Sequence, residues 1–175
     1  DTVENIERLF RAARRGSTPV FVSPHFYFPY DGEWKHPGAL QKQLWDLGIF
    51  RRADPVDSRG LEGSGADFLA RYKPFMLDGK TVVTSPHKVY GPESNDLLLQ
   101  LRSRGIDTVV LAGLAANLCV DSHLRALVEN GFRVLVVKDA VGAPGAEAYQ
   151  AALVNYSLIA NAVLTTEEAV HLLAR

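Results

Sequence analysis

Five short apolar runs punctuate this chain, and each is separated from the next by at least one helical pattern. Pro19-Val-Phe-Val-Ser23, Thr81-Val-Val-Thr84, Thr108-Val-Val-Leu-Ala112, Arg133-Val-Leu-Val-Val137 and Ala162-Val-Leu164 show no polar alternation. A strand with one wet face alternates apolar and polar residues, so runs like these belong to a sheet covered on both sides. Strands that alternate with helices from end to end argue for a parallel sheet. The pattern predicts strands over 20–23, 81–84, 108–112, 133–137 and 162–164. It predicts a first helix over 2–15, where Ile6, Leu9, Phe10 and Ala13 share a face and Gly16 follows as a stop. Further helices are expected around 40–47, over 66–72, from Pro92 to Arg104 with Gly105 closing it, over 120–130 with Gly131 as its stop, over 146–159, and after Thr166 as a cap.

Composition narrows the function classes. A chain of 175 residues, 47% of them apolar, forms one domain with a real core and is not a disordered segment. A net charge of −1 gives no general attraction to nucleic acid or anionic lipid, so neither is an expected partner. No apolar run approaches the roughly 20 residues that cross a bilayer. The single cysteine, Cys119, permits neither an internal disulfide nor a cysteine-based metal cage, which fits a reducing, cytoplasmic setting.

In an open parallel sheet, ligands bind at the carboxyl ends of the strands. Pro24-His-Phe-Tyr-Phe28 follows the first run, Ser85-Pro-His-Lys-Val-Tyr90 the second, and Gly113-Leu-Ala-Ala-Asn-Leu-Cys119 the third. Cys119, Lys88, His25 and His87 therefore converge at one edge of one sheet. Cys119 falls at a helix N-terminus, where the helix dipole and a nearby ammonium from Lys88 would favour its thiolate. The backbone N–H groups of 113–119 would suit an oxyanion hole. Seen alone, a free cysteine is equally a small buried hydrophobe. His123, four residues on, is a rival base, but a position one turn into the helix suits packing better. His25, Asp31 and His36 match no compact metal signature and read as polar groups at a pocket mouth. Phe26, Tyr27, Phe28, Tyr30 and Trp34 form either a pocket wall or the underside of a loop. Gly63-Ser-Gly-Ala-Asp67 reads as a tight turn entering a helix. Arg14-Arg15 and Arg51-Arg52 read as solvated pairs.

Several stretches together resemble the isochorismatase-like cysteine hydrolases: Gly63-Ser-Gly-Ala-Asp67, Ser85-Pro-His-Lys88, Gly105 through Val120, and Gly131 through Ala140. The resemblance implies a three-layer α/β/α sandwich with a parallel, Rossmann-like sheet. It implies Cys119 as nucleophile and Lys88 as the group that holds the thiolate. It implies a cis peptide joining Ala115 and Ala116, with the N–H groups of Ala116 and Cys119 aimed at the oxyanion. It implies a homo-oligomer, dimer or tetramer. His25, Phe26, Tyr27, Trp34, His87, Tyr90 and Asn117 are the expected substrate-pocket residues.

Three departures from the family pattern matter. The family's catalytic Asp ends a first strand in an apolar-Asp-x-Gln context, and nothing between Asp1 and Ser17 fits; Asp1 itself starts a helix. That strand is central to a sheet of order 3-2-1-4-5-6. A sheet without it leaves two unpaired edges, which is costly, so a strand ahead of Asp1 is expected in the full protein. Where nicotinamidases have Asp-x-His, this chain reads His25-Phe26-Tyr27, so no catalytic metal and no cofactor are expected. Ala116 stands where the family often has Thr. The leading expectation is a cysteine hydrolase that cleaves a small amide or related C–N bond through a thioester at Cys119. The alternatives are isochorismatase-type vinyl ether hydrolysis, which does not need the cysteine, and a non-catalytic small-molecule-binding protein lacking the family's Asp.

Overall fold

A computed structural model describes residues 1–52 and 60–174; the stretch from 24 to 63, mixed in Pro, Gly and aromatic residues and read from the sequence as irregular, lies partly outside them. The elements run α1 (Thr2–Arg15), β1 (Phe21–Val22), α2 (Ala39–Asp46), α3 (Lys73–Met76), β2 (Val82–Val83), α4 (Leu97–Ser103), β3 (Thr108–Leu114), α5 (Asp121–Glu129), β4 (Arg133–Gly142), α6 (Ala146–Ile159), β5 (Ala162–Leu164) and α7 (Thr166–Leu173). All five expected strands are present, and every pairing between them is parallel.

The strands form two ladders, β1–β2 and β3–β4–β5. Phe21 sits opposite Val82 in the first, and Val110 opposite Leu135 in the second. The register of β3 on β4 shifts between Leu111 and Gly113, so the end of β3 departs from its regular path just before the cysteine turn. Helices cover both faces. Val134 and Val136 of β4 meet Leu97 and Leu101 of α4, Leu124 and Leu127 of α5, and Ala152 and Tyr156 of α6. Val137 and Ala140 face the other way, onto Leu9 of α1 and Ala169 of α7. This is the period-2 alternation of a strand buried on both faces. Each large aliphatic side chain so buried contributes about 1.5–3 kcal/mol.

Local signals explain the helix boundaries, and three differ from expectation. The Asp1 carboxylate accepts the Val3 N–H at 2.8 Å and caps α1. The helix expected over 66–72 forms only as α3, further on. Asp67 instead accepts N–H groups from Gly63 and Phe68, both at 2.8 Å, and pairs with Lys73, which holds this stretch as a turn. Pro74 is tolerated only in a first helical turn, where it lies. The helix expected over 92–104 breaks at Asn95, whose backbone is extended; its side chain accepts the Leu97 N–H and donates to Ser23 Oγ at 2.8 Å. The cap of α7 is Thr165, in a reciprocal capping box with Glu168, one residue before the expected Thr166. Thr166 binds the Asp139 carboxylate instead. Among the described residues, no helix is long and apolar enough to cross a membrane.

Candidate active site

The cysteine turn grows out of the end of β3. Gly113 has φ +133°, a conformation only glycine adopts without strain. The next peptide bond but one, Leu114–Ala115, is cis. The cis bond therefore lies one residue earlier than the expected Ala115–Ala116 link. Ala116 is fully buried in the core on the α4–α6 side, and its carbonyl accepts the Tyr156 hydroxyl at 2.5 Å. Residues Ala116–Val120 form a π-helical turn that runs into α5. The Ala115 carbonyl accepts the N–H groups of both Leu118 and Val120 at 3.1 Å.

Two N–H groups, those of Ala115 and Cys119, act on the Cys119 sulfur. Burial pushes the thiol up, and the two N–H groups offset this only in part, so the thiol rests protonated at neutral pH.

His123 does not act on the sulfur as a base. Its Nδ1–H donates to the Cys119 carbonyl at 2.7 Å, which leaves Nε2 to accept from Ser23 Oγ at 2.8 Å. Asn95 donates to the same hydroxyl. The chain His123–Ser23–Asn95 ties the cysteine turn to the end of β1 and to the loop after β2. His123 is 5% exposed, and burial holds its pKa down.

Lys88 lies in the loop after β2, as expected, but its ammonium pairs with the Asp31 carboxylate. The ammonium also sits 3.9 Å from the centre of the Phe28 ring. Asp31 is 7% exposed, and its Oδ2 also accepts the Phe28 N–H at 2.7 Å. The charge of Lys88 is therefore spent on a buried carboxylate. The sequence did carry a signal for this. Pro29 opens a one-turn helix, and an acidic residue three positions after Phe28 is placed to cap it. The turn holds Asp31 inward.

The pocket residues are partly brought together. His25 stacks on His87 at 4.8 Å and on Phe50 at 4.7 Å, and Tyr27 meets His25 edge-on at 5.1 Å. Trp34 meets Tyr27 at 6.0 Å. His25 and His87 sit in a parallel bridge that extends the β1–β2 pairing. Phe26 belongs to the other side of this extended segment. It is buried, pairs with Phe28, and lies under the half-buried Arg52, which is not the solvated residue expected. Tyr90 is half-buried near Tyr27 and raises its pKa after burial has done most of that, to about 12 in all. Desolvation holds His25 down to about 4 and His87 down to about 3, so both rings are neutral. Buried polar atoms without a partner cluster among these residues: His25 Nε2, His87 Nδ1, Tyr27 Oη and Asn117 Oδ1. His36 is exposed, so the His25–Asp31–His36 set does not assemble. Two grooves of about 500 and 470 Å³ flank the start of α1, and none of these pocket residues lines them.

Residues 1–168 match the Isochorismatase domain. The chain belongs to the isochorismatase family. It is 29% identical over 140 residues to N-carbamoylsarcosine amidase of an Arthrobacter species, covering 80% of this chain and 49% of that protein. The chain thus spans about half the length of that curated relative. A 52-residue stretch, 30% of this chain and 28% of the relative, is 50% identical to the uncharacterized isochorismatase family protein YecD of Escherichia coli O157:H7. The fold matches that of a cysteine hydrolase from Pseudomonas syringae pv. phaseolicola 1448A, with a TM-score of 0.80 and 22% identity over 99% of this chain and 80% of that one.

Proposed function

We propose that this family member hydrolyses the C–N bond of a small carboxamide or N-carbamoyl compound through a thioester at Cys119. The observation that carries the reading is the pair of N–H groups, from Ala115 and Cys119, that act on the Cys119 sulfur. A carbonyl carbon brought to that sulfur would place its oxygen within reach of the same donors, and one such donor is worth on the order of 10²–10³ in rate. Kinship with an N-carbamoylsarcosine amidase supports the choice of bond.

In this reading the substrate carbonyl enters beside Cys119 against Tyr27, Trp34 and Asn117. The thiol attacks, and the C–S bond forms as the carbonyl π pair moves onto oxygen. The tetrahedral oxyanion collapses, the C–N bond breaks, and the thiol proton leaves with the nitrogen as amine or ammonia. The Lys88–Asp31 pair, at the same sheet edge, conducts that proton. Water then cleaves the thioester and releases the acid. Because the resting thiol is protonated, ionisation accompanies substrate binding instead of preceding it. The homo-oligomer implied by the family resemblance is part of this proposal, and light scattering of the purified protein measures it.

The test is ammonia release from a panel of small carboxamides and N-carbamoyl amino acids. Cys119→Ala is expected to abolish turnover of every compound the wild type accepts. Turnover that survives this change would instead favour acid-catalysed vinyl ether hydrolysis, which needs no thiol. Ligand-dependent thermal shifts without turnover of any compound would favour a binding protein.

A further inference from the structure

The thiol has neighbours that the hydrolytic reading leaves unused. His25, His87 and Cys119 each offer one ligand atom, and all three atoms lie within 4.8 Å of one another. His87 is only 2% exposed, yet its Nδ1 has no partner; His25 Nε2 is likewise buried and unpartnered. Leaving a buried polar atom unpaired is costly, so these two nitrogens favour a partner that comes to them. The rings are held in place by stacking on each other, on Phe50 and on His123.

We propose that His25, His87 and Cys119 form a zinc site that switches the enzyme off by capturing its nucleophile. Two imidazoles and a thiolate are a borderline-soft donor set that suits Zn²⁺ and does not suit Mg²⁺ or Ca²⁺. Zinc–nitrogen bonds of about 2.0–2.1 Å and a zinc–sulfur bond of about 2.3 Å imply ligand separations of roughly 3.3–3.6 Å in a tetrahedron. The widest pair of ligand atoms therefore closes in by about 1.2–1.5 Å at most, and water fills the fourth position. The balance is simple: the Cys119 S–H bond breaks, a Zn–S bond forms, and one proton goes to solvent. The nearby Lys88 ammonium would repel the ion, but Asp31 neutralises it. This ion differs from a catalytic metal, because it occupies the atom that would attack. The site stands on its own geometry, and only its inhibitory consequence rests on the hydrolase reading.

The test titrates metal-free protein with Co²⁺ as a spectroscopic probe and with ZnCl₂. Cobalt is expected to give a thiolate-to-metal charge-transfer absorption and a tetrahedral visible spectrum, both displaced by one equivalent of zinc. The charge-transfer band should vanish in Cys119→Ala, and affinity should fall at least about tenfold in His87→Gln and in His25→Gln. In the unmodified protein, zinc should protect Cys119 from iodoacetamide and EDTA should restore the reaction, so the proposal does not hang on variants that fold. Cobalt binding without the thiolate band, or alkylation at an unchanged rate with zinc bound, would overturn the site. These binding readouts need no substrate, so they stand apart from any failure to find an amide. Zinc that binds and leaves turnover intact, or raises it, would overturn the inhibitory role alone.

Discussion

Two parts of this molecule reach order by different means. The segment from β3 through α5 to β4 is held by apolar burial: Leu124, Val134, Val136 and Val137 are all fully buried. The segment from Ser23 to Arg52 has little regular structure. It is held by ring contacts at 4.7–6.1 Å, most of them edge-on, by a single-residue bridge between Tyr27 and Arg51, and by the buried Lys88–Asp31 pair. It even carries Phe50 at φ +60°, an uncommon conformation for a bulky residue. In the proposed reaction the first segment would aim the nucleophile and the second would shape what meets it, so substrate preference could change without disturbing the reacting atom.

The comparison breaks most sharply at Asp31. Asp31→Ala strands the Lys88 ammonium in a largely buried place and should cost about 3–5 kcal/mol, read as the urea midpoint. The milder Asp31→Asn frees the ammonium to act on the thiol, and alkylation of Cys119 at neutral pH should speed up; a slower or unchanged reaction would show that Lys88 does not reach the sulfur's field. In the other half, Leu124→Ala should cost about 2–5 kcal/mol by opening a cavity, while thiol alkylation keeps its wild-type pH profile. If both changes lowered stability and shifted thiol reactivity alike, the two halves would not be separable.

Acid sharpens the same contrast. His25 and His87 are neutral in the fold, held near 4 and 3, while in the unfolded chain they titrate near 6.5. The unfolded state binds more protons below that value, so their contribution is full above about pH 6.5. It is lost as pH falls toward 3, by about 3 kcal/mol for His25 and about 5 kcal/mol for His87. Urea melts with a chelator present should show this loss, and it should shrink in the His25→Gln, His87→Gln double variant. The smallest effect is expected at Ser23→Ala, which removes the hydroxyl between His123 and Asn95 and should cost about 1 kcal/mol. A loss several times larger would mean that this network, and not the apolar core, holds the cysteine turn.

Most of the fold was legible because short apolar runs alternate with helical patterns. Residues 134–137 are apolar at every position and buried, as a strand covered on both faces requires. Helix ends were less legible where a side chain captured the backbone, as Asn95 does in interrupting the 92–104 helix and Asp67 does in holding 63–73 as a turn. At the site, Cys119, Lys88, His25 and His87 were each readable from their place after a strand. Their partners were not. Whether Lys88 meets a thiol or a carboxylate depends on how a short turn at 29–33 aims Asp31, a three-dimensional fact with only a faint capping signal in the chain. The expected cis bond was one residue out because Leu114, Ala115 and Ala116 give no local cue to which link is cis.

The central claim is that Cys119 becomes acylated during turnover. The direct measurement is the intact mass of the wild-type protein, acid-quenched while it consumes the first amide found to release ammonia, followed by peptide mapping. The account predicts an adduct with the mass of the acyl group on the peptide that carries Cys119, absent from Cys119→Ala. Steady turnover with no adduct, together with undiminished ammonia release by Cys119→Ala, would contradict it.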